Sequence, residues 1–353
     1  MPRNESAEDQ HSDAPRDPLA GVPRSPALRV HLATDDPEYI PYRLDRTRFE
    51  AAGREFPDVF GRLAPTYSDD FRGFREGMRD AEVLIGWKFP REALIEAAPR
   101  LRWIQLVGAG VDHLAPFDWL PPGVRLLTAS GVHTGKSFEY FLLGILAIHT
   151  RLRRLMRRQR RRRWSKIQTG TVPGKTALVI GLGAVGTGAA RAAKTLGMRV
   201  LGYRRSARPH EHCDELVAPE DLHRALPCAD YLLLAAPLTR ETLGLIGERE
   251  LALLPEGAGL VNLGRGRLVS QPALVAALES GRLAGAFLDV VWPEPHPPES
   301  PLWEAPNLIL TPHVGADDIE QYIPLCYRIA LRNFDRYFRG LPLRNEVDLE
   351  LGY

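Results

Sequence analysis

The feature that most constrains this chain is an apolar run that leads directly into three closely spaced glycines. Residues 177–186 read Ala-Leu-Val-Ile-Gly-Leu-Gly-Ala-Val-Gly. The run has the length and the β-branched content of a buried strand, and the alanines after the glycines favour a helix. A Gly-x-Gly-x-x-Gly turn between a strand and a helix predicts a dinucleotide-binding site.

The glycines of this turn have different expected tasks. Gly181 allows a tight turn, Gly183 lets a diphosphate approach the backbone at the helix N-terminus, and Gly186 lets helix and strand pack closely. An ordinary glycine-rich turn is the alternative, because the pattern is weak when it stands alone. The predicted cofactor-binding residues of the turn are Gly181, Leu182, Gly183, Ala184, Val185 and Gly186.

The end of the next predicted strand, Met198–Tyr203, indicates which dinucleotide is bound. An acidic residue in that place accepts hydrogen bonds from the adenosine ribose and would repel a 2′-phosphate. This chain has Arg204, Arg205 and Ser206 instead, and two guanidiniums with a hydroxyl can bind a phosphate. The sequence therefore favours NADP over NAD, and the alternative is that both arginines point to solvent.

Length and composition fit an enzyme without a nucleic-acid or membrane partner. The 353 residues suffice for about two domains, and a net charge of +2 indicates no polyanionic partner. Three cysteines without Cys-x-x-Cys spacing predict a reducing compartment. Neither a membrane span nor a signal peptide is recognisable, so we expect a cytoplasmic protein. Residues 1–26 are rich in Pro, Asp, Glu, Ser and Arg, which predicts a disordered tail.

From residue 27 onward, short apolar runs alternate with segments of helical pattern. This alternation predicts an α/β fold. A largely apolar helix is predicted over Phe138–Thr150, and a last helix over Ile319–Phe338. The other predicted strands are Leu28–Ala33, Val83–Trp87, Leu101–Val107, Val124–Ala129, Tyr231–Ala235, Gly259–Leu263, Gly285–Val291 and Asn307–Leu310.

Four segments downstream of the glycine turn carry a recognisable pattern. They are Pro237-Leu-Thr-Arg-Glu-Thr242, Val261-Asn-Leu-Gly-Arg-Gly266, Leu288-Asp-Val-Val-Trp-Pro-Glu-Pro295 and Thr311-Pro-His-Val-Gly315. In content and order they resemble the D-isomer-specific 2-hydroxyacid dehydrogenase family. Leu106-Val-Gly-Ala-Gly-Val-Asp112 and Ser137-Phe-Glu-Tyr140 also resemble family segments, so the resemblance spans roughly residues 28–345.

The resemblance implies an α/β protein of two Rossmann-like lobes, each built on a doubly wound parallel sheet. We expect a discontinuous substrate-binding domain over residues 27–130 plus 318–353. The dinucleotide-binding domain is expected over residues 131–317, with the active site between the two domains.

Three charged residues match the catalytic residues of the family. Reduction of a 2-keto acid needs a cation for the carboxylate and carbonyl, and an acid that protonates the forming alkoxide. Arg265 matches the catalytic arginine and His313 the proton donor. Glu294 matches the carboxylate that orients the histidine and favours imidazolium. Taken singly, each of the three fits an ordinary turn, loop or structural residue. Only their common order in the family pattern indicates a catalytic set.

Further residues have expected roles in binding. Asp289 resembles the family's acceptor of the cofactor amide, with a turn cap as the alternative, and Pro237 and Thr242 are expected on the adenosine side. Lys88 is expected to shape the substrate pocket, although a surface lysine is the commoner case. A glycine-rich loop is expected to bind the substrate carboxylate through backbone N–H groups. The expected substrate-binding residues of this loop are Val107, Gly108, Ala109 and Gly110.

The most basic segment precedes the glycine turn, where residues 151–163 contain nine arginines. Leu152, Leu155, Met156 and Trp164 form an apolar strip at near-helical spacing among them. So many like charges destabilise an isolated helix, and the resemblance implies an arm here, so we expect a homodimer that uses this segment. The alternative is a polyanion-binding surface whose affinity falls steeply with salt.

The resemblance implies an oxidoreductase that transfers a hydride between NADP and a small 2-keto or 2-hydroxy acid such as glyoxylate or hydroxypyruvate. NAD is the alternative cofactor. No metal is expected, because neighbouring residues of one loop, such as His210-Glu-His-Cys213, rarely converge on one ion. The alternative function is a non-catalytic nucleotide-sensing module, since the family includes corepressors that keep the fold. The three matched catalytic residues favour the enzyme, and the keto acid itself stays open.

Overall fold

The computed structural model describes residues 27–34, 42–206 and 208–353. These residues form two parallel β-sheets, each covered by helices on both faces. The predicted α/β fold with two doubly wound parallel sheets is therefore confirmed. The predicted tail, residues 1–26, lies outside the described residues. Within those ranges, no helix has the length and apolar character needed to cross a membrane.

The first sheet contains five parallel strands. They are β1 (Leu28–Ala33), β2 (Leu63–Ser68), β3 (Val83–Gly86), β4 (Trp103–Leu106) and β5 (Arg125–Leu127). Their order across the sheet is β2-β1-β3-β4-β5. The carboxyl ends of β3 and β4 are therefore neighbours, and the loops that follow them are close together.

Four helices in this part of the chain cover the first sheet. They are α1 (Arg46–Gly53), α2 (Pro57–Phe60), α3 (Phe71–Met78) and α4 (Leu94–Ala97). Buried Phe49 of α1 and Val59 of α2 belong to the core on one face, and Phe74 of α3 and Leu94 of α4 belong to the core on the other. The sheet is thus buried on both faces, as parallel sheets generally are.

The second sheet contains seven parallel strands. They are β6 (Thr176–Ile180), β7 (Arg199–Tyr203), β8 (Glu215–Val217), β9 (Tyr231–Leu234), β10 (Ala258–Asn262), β11 (Leu283–Leu288) and β12 (Leu308–Leu310). Their order is β12-β11-β10-β9-β6-β7-β8. The chain reverses its direction across the sheet between β6 and β9, and such a reversal is where open α/β sheets bind ligands.

The remaining helices are α5 (Thr134–His149), α6 (Leu152–Arg160), α7 (Ala184–Thr195), α8 (Leu222–Ala225), α9 (Glu248–Leu253), α10 (Gln271–Glu279) and α11 (Tyr322–Phe338). Helices α5 and α7 pack on one face of the second sheet, and α8 to α10 on the other. Helices α5 and α7 are in close contact. A Cβ on Gly188 of α7 would lie only 2.3 Å from Ser137 Oγ of α5.

The last long helix returns to the first sheet. Tyr327 and Phe334 of α11 are fully buried and belong to the same core as Leu32 of β1 and Trp103 of β4. This packing supports the discontinuous domain expected from the sequence. The domain limits themselves, 27–130 plus 318–353 and 131–317, remain our proposal.

Some elements differ from the expectations. Strands β2 and β8 were not predicted, since β2 contains Pro65 and β8 has only three residues. Both are edge strands, and an edge position tolerates proline. Helix α5 begins at Thr134 instead of Phe138, because its polar first turn lacks an apolar period. Helix α11 begins at Tyr322 instead of Ile319.

Candidate active site

The glycine turn joins β6 to α7. Gly181 has a φ of +90°, a conformation that L side chains rarely adopt. A Cβ on Gly186 would lie 1.8 Å from Gly181 O, so the close approach of α7 to β6 requires glycine. A Cβ on Gly183 would meet no atom within 4 Å, so the space beside this residue is open. The first N–H groups of α7 have no partner within the helix, and this end can bind an anion.

Arg204, Arg205 and Ser206 follow β7, the strand beside β6. The Arg204 guanidinium donates to Arg208 O at 3.2 Å, and the Arg205 guanidinium lies 5.2 Å from the centre of the Tyr353 ring. Within the described ranges neither arginine is paired with a carboxylate. Both positive charges therefore remain available to an anion at this edge of the sheet.

Pro237 and Thr242 lie in the loop that follows β9, on the other side of β6. Thr242 Oγ1 donates to Pro237 O at 2.7 Å and accepts the Thr239 N–H at 2.8 Å. Thr242 therefore fixes the shape of the loop. Its expected contact with adenosine stays a prediction.

These features fit a nicotinamide adenine dinucleotide. The open space at Gly183 and the N-terminus of α7 suit a diphosphate, which needs close backbone approach and N–H donors. Arg204 and Arg205 suit an additional phosphate on the ribose. The loop of Pro237 and Thr242 would lie beside the same end of the cofactor, since β9 and β7 flank β6.

His313 and Glu294 form a close pair at the opposite part of the same sheet edge. His313 Nδ1 lies 2.7 Å from Glu294 Oε2, and Glu294 Oε1 accepts the Val291 N–H at 3.1 Å. His313 has a φ of +56°, and its N–H donates to Asp289 O at 2.8 Å. The His313 side chain is 48% exposed, and its Nε2 has no partner among the residues described. This nitrogen can therefore exchange a proton with a ligand.

The pair also shifts the pKa values of its members. The hydrogen bond with Glu294 raises the pKa of His313, against the smaller effect of burial. Burial opposes ionisation of Glu294, but the hydrogen bond and the charge of His313 hold the pKa of this carboxyl below its usual value. The geometry thus favours imidazolium beside carboxylate, the arrangement of an oriented proton donor.

Asp289 organises the loop that carries His313. It is 2% exposed, and its Oδ1 accepts the Thr311 hydroxyl at 2.6 Å and the Val314 N–H at 3.0 Å. Its Oδ2 accepts the Gly315 N–H at 2.8 Å. These contacts support the turn-capping alternative for Asp289. Binding of the cofactor amide stays a prediction.

Arg265 follows β10 and reaches toward the first lobe. Its Nε donates to Asp112 Oδ1 at 3.0 Å and its Nη1 to Gly264 O at 2.8 Å. Buried Asn262 holds the turn, since its Nδ2 donates to Arg265 O and its Oδ1 accepts the Gly264 N–H, both at 3.0 Å. A Cβ on Gly110 would lie only 1.7 Å from Arg265 Nη2. The guanidinium is thus held against the glycine loop of the other lobe.

The glycine loop after β4 departs from the expectation at one residue. The Val107 N–H donates to Gly86 O at 3.1 Å, so this amide is already used within the sheet and is not available to a substrate. The N–H groups of Gly108, Ala109 and Gly110 donate to no other residue in the described part of the chain. These three amides are the ones that can bind an anion.

Trp87 and Lys88 follow β3 beside this loop. The Trp87 ring occupies the space where a Cβ on Gly108 would lie, at 2.0 Å, and its centre is 4.5 Å from that of the His113 ring. Burial lowers the pKa of His113, and the charge of Lys88 acts in the same direction. Lys88 is exposed, and its expected contact with substrate stays a prediction.

Two positioning residues were missed by the sequence reasoning. Asn262 could have been found, because an Asn at the last position of a strand before a glycine often holds a turn through its side chain. Asp112 could not, since only the approach of the two lobes brings its carboxylate to Arg265.

Comparisons with known proteins show the family to which this chain is similar. A sequence model described as D-isomer specific 2-hydroxyacid dehydrogenase, NAD binding domain, matches residues 142–315. A glyoxylate reductase of Thermococcus gammatolerans is 35% identical over 253 residues, which cover 68% of this chain and 75% of that protein. A D-3-phosphoglycerate dehydrogenase of Archaeoglobus fulgidus is 33% identical over 259 residues, or 72% of this chain. The match spans about half, 49%, of that longer relative.

A solved structure extends the likeness to nearly the whole chain. The NADPH-dependent glyoxylate/hydroxypyruvate reductase of Sinorhizobium meliloti, crystallised with NADP and sulfate, matches with a TM-score of 0.77 at 26% identity. The match covers 92% of this chain and 100% of the other. The chain therefore belongs to the D-isomer specific 2-hydroxyacid dehydrogenase family. Its residues 142–315 contain the NAD binding domain of that family.

Proposed function

We propose that this chain is an NADP-dependent reductase of small 2-keto acids such as glyoxylate and hydroxypyruvate. The observation that carries the proposal is the convergence of three charged groups. Strands β10, β11 and β12 are neighbours, and Arg265, Glu294 and His313 follow them in that order. All three therefore lie at one edge of the sheet, with Arg265 against the Gly108–Gly110 loop. The names of the relatives support the same substrate class.

Each group has a distinct task in this proposal. Arg265 and the free amides of Gly108–Gly110 bind the substrate carboxylate and stabilise charge that develops on the keto oxygen. The bound cofactor supplies the hydride. His313 donates a proton from Nε2 to the forming alkoxide, and Glu294 keeps the imidazole oriented and protonated beforehand. Asp112 and Asn262 position Arg265 from its two sides.

NADP is the proposed cofactor, with NAD as the alternative. Arg204 and Arg205 support this choice, because neither of them forms an ion pair with a carboxylate among the described residues. The reductase of Sinorhizobium meliloti, described as NADPH-dependent, supports it as well.

A panel of 2-keto acids assayed with NADPH tests the proposed activity. We expect turnover of glyoxylate, hydroxypyruvate or an acid of similar size, followed by the loss of NADPH absorbance. A simple ketone without a carboxylate is the control and should not react, because Arg265 and the free amides recognise that group. If no acid reacts while NADPH binds, the nucleotide-sensing alternative replaces the enzyme.

We further propose a homodimer that uses the Leu152–Trp164 segment. No residue of α6 is buried, and Met156 and Trp164 are 47% and 100% exposed. Leu143 and Leu146 on α5 are exposed as well. Leu152, Met156 and Trp164 line one groove, and grouped, exposed apolar side chains are typical of protein interfaces. The partner would cover this apolar strip and supply acidic groups for the arginines around it.

Light scattering tests the dimer. We expect a dimer at micromolar concentration, and we expect the substitution Met156→Glu to shift it toward monomer, with Arg72→Glu as a surface control. A chain that is monomeric and binds DNA with a steep salt dependence would favour the polyanion alternative.

We also propose a cytoplasmic location, which is supported by the free state of Cys213, Cys228 and Cys326.

A further inference from the structure

A strongly cationic cavity lies on the outer side of α11, away from the residues of the candidate active site. Its volume is about 360 Å³, and four guanidiniums line it, those of Arg332, Arg336, Arg339 and Arg344. The only carboxylate in its lining is that of Asp335, among the residues described. A concave surface with such an excess of positive charge favours the binding of an anion.

Few carboxylates among the described residues compensate the positive charge of this cavity. Arg332, Arg336 and Arg339 are four and three residues apart, so their side chains lie on one face of α11. Of these arginines, Arg339 alone forms an ion pair within the described ranges, with Asp335 Oδ2 at 3.3 Å, and this pair is exposed. No carboxylate of the described ranges pairs with Arg332, Arg336 or Arg344. Burial, followed by the charges of Arg344 and Arg339, lowers the pKa of Arg336.

The backbone that presents Arg344 is fixed by a buried side chain. Asn333 is 2% exposed, and its Nδ2 donates to Arg344 O at 3.1 Å while its Oδ1 accepts the Arg344 N–H at 2.9 Å. The same Nδ2 donates to Gln105 Oε1 of β4 at 3.1 Å. The Arg344 guanidinium itself has no hydrogen-bond partner in the described part of the chain. The backbone at Arg344 is therefore anchored to the core, and the Arg344 guanidinium remains available to a ligand.

The cavity also adjoins a connection between the two lobes. Ser130 and Asn345 line it, and Asn345 Nδ2 donates to Ser130 O at 2.8 Å. The Thr128 N–H donates to Asn345 O at 2.8 Å. Ser130 belongs to the segment that leads from β5 of the first sheet to α5 on the second. A ligand in the cavity would therefore contact this crossover segment.

We propose that this cavity is a second ligand site, which binds a small metabolite that carries a phosphate group. Guanidinium forks bind phosphate oxygens through paired, charge-assisted hydrogen bonds. Cavities that hold small ligands begin at about 300 Å³, so the volume suits a metabolite of a few carbon atoms. An extended nucleic acid would instead need a stripe of positive charge along the surface.

Calorimetric titration of the full chain with inorganic pyrophosphate, at low ionic strength and with saturating NADP, tests the proposal. NADP occupies the glycine turn, and the anion site at Arg265 is the same in every variant compared, so that a difference between the variants reports on the second site. We expect a saturable site whose affinity falls about tenfold or more in the double variant Arg332→Gln/Arg344→Gln, because this variant loses two guanidiniums that form charge-assisted hydrogen bonds with the phosphate. The control is Arg72→Gln/Arg224→Gln, which removes the same charge from two exposed arginines elsewhere.

Folding of the double variant can be checked independently. Neither guanidinium, that of Arg332 or that of Arg344, has a hydrogen-bond or ion-pair partner among the described residues, so the thermal midpoint without anion should not fall. In the wild-type protein, pyrophosphate should raise that midpoint more than sodium chloride of equal ionic strength. The proposal is overturned if wild-type protein shows neither saturable binding nor this rise, or if the double variant and the control bind equally. Salt-sensitive binding of DNA without binding of pyrophosphate would also overturn it.

Discussion

The two glycine-rich turns of the cleft differ in what occupies the space beside their glycines. At the turn after β6, a Cβ on Gly183 would meet no atom within 4 Å. At the turn after β4, a Cβ on Gly108 would lie 2.0 Å from the Trp87 ring, and one on Gly110 would lie 1.7 Å from the Arg265 guanidinium. The space beside Gly183 is therefore open to a ligand, whereas side chains of the protein fill the space beside Gly108 and Gly110.

The difference follows from how each turn continues. The turn after β6 leads into α7, which has 12 residues and offers a helix N-terminus to an anion. The turn after β4 leads into a single helical turn of three residues, Asp112–Leu114. Asp112 instead binds Arg265, so the positive charge at the second turn comes from a side chain of the other lobe. Similar glycine patterns thus support two kinds of anion site.

Neither turn supplies the proton, and the largest expected effect therefore falls on His313. We expect His313→Ala to lower kcat of keto-acid reduction by about 10²–10⁴-fold, the usual contribution of a general acid. The dissociation constant of NADP should stay unchanged, because His313 lies after β12 and not at the glycine turn. Steady-state kinetics and cofactor titration measure the two quantities.

A second histidine in the same lobe provides the control for this prediction. His223 also pairs with a glutamate, Glu250, at 2.8 Å, but it lies outside the cleft residues. His223→Ala should leave kcat unchanged. Equal losses in both variants would point to a structural effect and contradict the role of His313.

The substrate turn is tested by Gly110→Ala. The new methyl group would push the Arg265 guanidinium away, and loss of one positioned donor costs about 10²–10³-fold in rate. We expect a loss of about 10²-fold in kcat/KM for the keto acid, with NADP binding unchanged. Gly135→Ala is the control, because a Cβ there would meet no atom within 4 Å. A parallel loss of NADP affinity would show that the two turns are not separate in function.

The fold was largely predictable because most strands of both sheets are continuous apolar runs. Strands such as β6 and β9 are buried on both faces, and this burial produces the apolar pattern. Strand β2 was not predictable in the same way, since its side chains are largely half-buried or exposed and it contains Pro65.

The candidate site was predictable where its residues follow strands. Arg265 and His313 were recognised because a strand's carboxyl end is where such sheets place their functional groups. The pairing of Arg265 with Asp112 depends on how two lobes approach each other, which no local pattern encodes. The use of the Val107 N–H within the first sheet likewise depends on the register of β3 and β4.

The cofactor turn is tested by two alanine substitutions with different expected results. Gly183→Ala introduces a methyl group into open space at a φ of −77°, so the thermal midpoint should not change while NADP affinity falls about tenfold. Gly186→Ala would bring a methyl group to 1.8 Å from Gly181 O, so it should lower both the thermal midpoint and the affinity. Thermal denaturation and cofactor titration separate the two outcomes. Unchanged NADP affinity in Gly183→Ala would mean that the diphosphate does not lie there.

A smaller effect is expected from the arginines that follow β7. NADPH should be preferred over NADH mainly through KM, because contacts with a 2′-phosphate are equal in the ground and transition states. Arg204→Asp should reverse this preference, since a carboxylate repels the phosphate and accepts hydrogen bonds from ribose. The ratio of kcat/KM for the two cofactors measures the change. Equal use of both cofactors by the wild-type protein would remove the proposed role of Arg204 and Arg205.

The smallest expected effect is a displacement of the pH profile by Glu294→Gln. The hydrogen bond with Glu294 raises the pKa of His313, and the protonated form is the proton donor in reduction. Activity is therefore present below this raised pKa and is lost as the pH rises through it. Removal of the carboxylate lowers the pKa of His313, so the alkaline limb of kcat/KM should move to lower pH. Glu250→Gln removes the carboxylate beside His223 and should leave the limb in place, whereas an unmoved limb in Glu294→Gln would show that Glu294 does not control the charge of His313.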